Sequence, residues 1–149
     1  MANLEHVAQL RQGTTLWNQW RQHYPDVQAD LSDADLCAAN LSQANLSGAI
    51  LHGTNLNNTN LSQADLSGAE LIGAALIGAN LSEANLKHAC LAGAKLEQVV
   101  VDNTNFQGAD LRGIPWLIIM NLMLQSGTNF TDILWDRPSN EPAPTFPIR

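Results

Sequence analysis

Charge is scarce in this chain. Only 14% of its 149 residues are charged, against about a quarter in an ordinary globular domain. Uncharged Asn, Ser, Gln and Thr fill the deficit. The net charge is −7, so the basic surface that nucleic-acid phosphates or anionic lipids require is missing. Direct nucleic-acid binding is therefore not expected. Aromatics make up 5%, which excludes a core organised around large rings. The two cysteines, Cys37 and Cys90, are too few for a disulfide framework and point to a reducing compartment. No apolar run reaches the roughly 20 residues needed to span a bilayer. The opening Met1–His6 lacks the basic start and apolar run of a signal peptide. A single soluble, cytoplasmic domain is expected.

What the chain does have is a repeat. From Ala29 to Gly113 it runs as seventeen five-residue units without insertion or deletion. Their centres are Leu31, Leu36, Leu41, Leu46, Leu51, Leu56, Leu61, Leu66, Leu71, Leu76, Leu81, Leu86, Leu91, Leu96, Val101, Phe106 and Leu111. Two residues before each centre stands a small residue, Ala in thirteen units, Thr at 54, 59 and 104, Val at 99. On a helix five steps rotate the chain by about 140°, spreading the leucines over every side. On a flat strand an odd period throws alternate leucines to opposite faces. A short extended piece followed by a corner satisfies the pattern. The small residue and the Leu, two apart, then point the same way, into a coil.

Glycine reports the corners and counts the sides. Gly53, Gly73, Gly93 and Gly113 recur every 20 residues, as do Gly48, Gly68 and Gly108, while Gly78 falls outside both columns. A recurrence of 20 is four units per coil, hence a square cross-section. Glycine at the third corner residue suits a type II turn, which needs positive φ there. The other two columns carry Gln43, Gln63, Glu83, Asn103 and Ala38, Asn58, Gln98, so turns without positive φ are expected at those corners.

Runs such as Ala39-Asn40-Leu41-Ser42-Gln43, Ala64-Asp65-Leu66-Ser67-Gly68 and Ala79-Asn80-Leu81-Ser82-Glu83 match the A-(D/N)-L-X-X signature, and the chain resembles the pentapeptide-repeat family of bacterial, including cyanobacterial, proteins. The resemblance implies an all-β fold, a right-handed quadrilateral β-helix. Seventeen units make about four coils, a tower about 20 Å tall at roughly 4.8 Å per strand. Each buried Leu contributes on the order of 2 kcal/mol, spread along the stack.

Open solenoid ends need covering. Residues 1–28 read as an N-terminal helical cap, with Leu4, Val7, Leu10, Trp17, Trp20 and Tyr24 at helical spacing and Gly13 as a break. Trp17 and Trp20 are expected to pack on the first coil rather than to serve a partner. After the 29–113 solenoid the rhythm fails. Residues 114–137 begin with the most apolar stretch of the chain, then resume two repeat-like units out of phase. Two readings stand open for 114–127: a cap on the tower, or a homodimer interface, the latter as the resemblance implies. The segment from Pro138 to Arg149, with four prolines, is expected to be disordered.

No chemistry declares itself. His6, His23, His52 and His88 lack metal-ligand spacing. The two thiols are about 14 Å apart along the stack, too far for a disulfide. No convergent groups suggest catalysis, so no cofactor, no metal and no enzymatic activity are expected. The outer faces differ, however. Two neighbouring faces are polar, carrying Asn40, Asn60, Asn80 and Asn45, Asn85, Asn105. The others break the rule at Ile50, Ile72 and Ile77, a candidate protein-binding patch unless 114–127 covers it. The leading reading is a non-enzymatic protein-interaction scaffold or regulator, with an unidentified protein partner. A DNA-mimicking modulator of a type II topoisomerase, which the resemblance suggests, and a purely structural repeat protein are the alternatives.

Overall fold

A computed structural model describes residues 1–138; the proline-rich segment expected to be disordered lies, from residue 139 onward, outside the described residues. Each repeat unit bridges the unit twenty residues away, in parallel. The series runs from Asp30 with Ile50 to Cys90 with Asp110. Four units therefore complete one circuit, which is the square coil that the glycine spacing requires.

The bonds of one unit show why the period is five. The Leu31 N–H donates to the Ile50 carbonyl at 2.8 Å, and the Ile50 N–H donates to the Ala29 carbonyl at 2.8 Å. The Ala34 N–H closes the corner on the Leu31 carbonyl at 3.1 Å. The extended piece is so short that each side contributes one bridged residue per rung. The small residue and the central Leu face inward, and Leu46 to Leu91 are fully buried at every centre. Thr54, Thr59 and Thr104 take alanine's place because each hydroxyl reaches a carbonyl of the coil below, Leu31, Leu36 and Leu81, at 2.7–2.9 Å. A buried hydroxyl without such a partner would be costly.

One expectation is corrected. The corners without glycine also take positive φ, between 56° and 61° from Asp33 and Ala38 through Gln43, Gln63 and Glu83 to Asn103. The extended strands repeat alike on all four sides, so every corner must turn alike. Glycine lowers the cost of that turn but does not choose it.

The second position of the unit explains the Asn and Asp. Their side-chain Oδ1 accepts from the backbone N–H two residues on, as in Asp30 with Ser32 at 3.0 Å and Asn60 with Ser62 at 3.1 Å. This is an Asx turn. The same carboxamides bond up the tower, Asn85 to Asp65 and Asn105 to Asn85, at 3.2 and 3.3 Å. Ala75 has no such group, and there the Ile77 N–H finds Asn57 Oδ1 in the coil below, at 2.8 Å.

Two helices precede the coils. α1 spans Leu4–Arg11, begun by the Asn3 side chain on the Glu5 N–H. α2 spans Thr14–His23, and Gly13, at φ 108°, separates them. A third helix, α3 (Trp116–Met123), interrupts the coil after Gly113. Ile114 is still buried like the small residue of a unit. Pro115 follows where a bridging N–H is needed and has none to give. The ladder stops and a helix starts. It resumes four residues late, with Asn105 bridging Asn129 and Asp110 bridging Leu134.

Candidate functional site

The described residues hold no group of three or more His, Cys, Asp or Glu able to bind a metal. His52 Nε2 lies 2.8 Å from Glu70 Oε2, off the line of a hydrogen bond. Asp110 is gripped by Arg112 at 2.6 and 2.9 Å. That hydrogen-bonded guanidinium holds its carboxyl below the ordinary value. These are paired surface groups, with no cleft between them. Both cysteines are free, Cys37 exposed and Cys90 half-buried.

The candidate patch spans two successive corners, Ile72 beside Gly73 and Ile77 beside Gly78, and Ile50 sits one coil below Glu70, which it bridges. Ile72 is 45% exposed; Ile50 and Ile77 are half-buried. The 114–127 segment does not run over them. It turns instead across the end of the tower, where Ile119 and Leu122 are buried.

At both ends side chains take up edge groups that a further coil would have met. At the start, Trp17 Nε1–H donates to the Asn45 carbonyl at 2.8 Å. Asn18 accepts from the Asn45 N–H at 2.8 Å and donates to the Gln43 carbonyl at 3.0 Å. The buried Arg21 donates to the Val27 and Ser47 carbonyls at 2.6 and 3.0 Å, and burial lowers its pKa. Trp17 is fully buried and packs at a tilt against Trp20, itself against His6 and Tyr24. At the far end the Gln125 carboxamide accepts from the Val101 N–H at 2.6 Å and donates to the Val99 carbonyl at 3.0 Å. It occupies the place of a backbone amide of the next rung. Phe106 stacks on Phe130, and Trp116 on Trp135, at 5.1 and 4.7 Å. Leu117 and Leu124 remain 70% and 80% exposed there.

Sequence reasoning singled out Trp17, Trp20 and the isoleucines. It missed Asn18, Arg21 and Gln125, because nothing in their spacing distinguishes them from surface polar residues. Their role exists only once the coil edge is in place.

A four-sided tower of five-residue repeats defines a class before it defines a protein. A family model for pentapeptide repeats matches eight copies over residues 29–68, 64–103 and 79–114, more than half the chain. The chain belongs to the pentapeptide-repeat family, whose members form right-handed quadrilateral β-helices. Among solved structures, a pentapeptide repeat protein from the cyanobacterium Cyanothece 51142 is 34% identical over 74% of this chain and 58% of that one, with TM-score 0.44. One from the Arabidopsis thaliana thylakoid lumen is 31% identical over 70% and 63%, with TM-score 0.37. HetL of Nostoc sp. strain PCC 7120, involved in heterocyst differentiation regulation, is 24% identical over 77% and 62%, with TM-score 0.36. The chain thus spans 58–63% of the length of these three proteins. A search of curated proteins returns no match. Among the described residues no helix is long and apolar enough to cross a membrane.

Proposed function

We propose that this protein is a non-enzymatic scaffold that captures a protein partner along the side of the tower that runs from Ile72 to Ile77. The observation that carries the reading is Ile72, 45% exposed on a tower whose equivalent positions on the two polar faces are mostly Ser. A large aliphatic side chain there has no role in the coil. Ala75, Cys90 and Ala92 surround it with further apolar surface. The N-terminal helices act as the cap of a tower of about four coils, and the partner meets a rigid face. Free thiols fit a reducing, cytoplasmic setting. Leu117 and Leu124 offer a second copy a place to pair at the far end.

Replacing both Ile72 and Ile77 by Asp leaves every inward residue untouched. The double variant is expected to keep its melting behaviour and to lose the partner that the native chain retains on an affinity column. Equal retention by both would remove this side from consideration.

Charge spacing speaks against duplex mimicry. In the column Asp30, Ile50, Glu70, Cys90, Asp110 acids recur only on alternate rungs, about 9.6 Å apart, and Asp110 is neutralised by Arg112. A duplex carries a charge every 1.7 Å or so of axis.

A further inference from the structure

At its four bridging residues the first coil is closed on two sides, half closed on a third and open on the fourth. Its downward-facing backbone groups meet partners at Asp30, where His6 Nδ1 accepts from the N–H and the Asn3 N–H reaches the carbonyl. They meet partners again at the Asp35 carbonyl through Arg11, and at Asn45 and Ser47 through α2. Among the described residues the Asp35 N–H meets none, and Asn40 goes further. Among the described residues neither its N–H nor its carbonyl has a partner; only its side chain is engaged, by Ser42 and Asn60. Below it opens a cavity of about 260 Å³ lined by Leu10, Arg11, Gly13, Leu36, Ala39 and Leu41. This is the space that the inward side chains of one more rung would fill. At the opposite end of the same side, the Gln125 carboxamide fills the equivalent place over Val99 and Val101.

We propose that this open rung is a docking site for an extended segment of another protein, which pairs in parallel with Asn40. The tower itself supplies the template. One coil higher, the Asn60 N–H donates to the Ala39 carbonyl and the Leu41 N–H donates to the Asn60 carbonyl, at 3.0 and 2.8 Å. By the same geometry the incoming strand accepts from the Asn40 N–H and donates to the Asn40 carbonyl with residues two apart. The side chains at those two positions enter the cavity, so the first must be small and the second apolar. Charge selects what precedes them. The exposed Arg11, held on the Asp35 carbonyl at 3.1 Å, stands where a parallel strand arrives, and favours an acidic residue there. The recognised pattern is acidic, small, any, apolar. This site is independent of the side bearing Ile72 and Ile77. Main-chain pairing of this kind gives affinity, with the pockets giving selectivity.

The test uses the full chain and the acetylated, amidated peptide Glu-Ala-Asn-Leu-Ser. Titration followed by amide NMR is expected to slow exchange at Asn40 and to shift Leu36, Leu41 and Arg11. A peptide N-methylated at its Leu lacks the donor for the Asn40 carbonyl and should bind about tenfold more weakly, the loss of one hydrogen bond. Asn40→Pro removes the free N–H of an edge position, where proline is tolerated, and should weaken binding similarly in a chain that still melts cooperatively. Arg11→Glu leaves the Asn40 groups as they are while freeing the Asp35 carbonyl; it should lose the Glu peptide and prefer its Lys counterpart. No saturable binding, or shifts confined to the far end of the tower, overturns the proposal. So does protection of Asn40 that rises with protein concentration and no peptide, because a second copy is then the occupant.

Discussion

At the fifth position of each unit a single backbone angle does the turning, and the residue there bears its cost. Gly48 has φ 62° and open space where a Cβ would stand. Gly48→Ala should therefore cost only the left-handed penalty, about 1 kcal/mol. Gly113, at φ 77°, has the Gly93 backbone nitrogen 3.3 Å from its Cβ position. Backbone in the coil below cannot swing aside as a side chain does, so Gly113→Ala should cost clearly more. Urea unfolding of the two variants measures the difference, and equal losses would mean that the coils are free to move apart at that corner. The sequence displayed where glycine recurs, and hence the four sides. It concealed that Gln43 and Glu83 make the same turn, because they offset its cost elsewhere. Gln43 Nε2 donates to Gln63 Oε1 and Gln63 Nε2 to Glu83 Oε2, at 2.9 and 2.8 Å.

At the scale of the element, the ends decide more than the coils. An internal rung pairs above and below; a terminal rung needs substitutes. Gln125 is such a substitute, one side chain meeting both a donor and an acceptor of the last full coil. Gln125→Ala leaves the Val101 N–H and the Val99 carbonyl without partners beneath α3, a loss of about 1–3 kcal/mol for groups left unpaired. Amide exchange at Val101 should accelerate while that at Leu61, deep in the stack, changes little, since solenoid stability is largely a sum of local terms. Exchange unchanged at both would mean that α3 alone seals the edge. None of this was legible beforehand. Periodicity located the coil and its interruption at Gly113. The closure by Gln125, Asn18 and Trp17 Nε1–H is a matter of hydrogen-bond geometry at an edge that sequence spacing does not describe. For the same reason face sorting could say that Ile72 and Ile77 point outward, and could not show the unpaired edge at Asn40.

Taken whole, the tower can be shortened without being rearranged, because every bridge in the regular stack links residues 20 apart. Deleting 59–78 joins Asn58 to Ala79 and removes one full circuit together with Ile72 and Ile77. Deleting 79–98 joins Gly78 to Val99 and removes one circuit but leaves both isoleucines. Each deletion restores the small-residue and Leu ladder in register, and in each the end closures at Trp17 and Gln125 keep their own coils. The second brings Glu70 beside Asp110, a like-charge contact that Arg112 offsets. Both shortened chains should melt cooperatively, at a lower temperature than the full chain, because fewer Leu are buried. Only the chain lacking 59–78 should lose the partner that the side bearing Ile72 and Ile77 is proposed to hold. Melting followed by circular dichroism reports the fold, and retention on the same affinity column reports that side. Loss of the partner by both chains would mean that Ile72 and Ile77 are not sufficient, and that tower height or the Cys90 and Ala92 surface removed with 79–98 is also read.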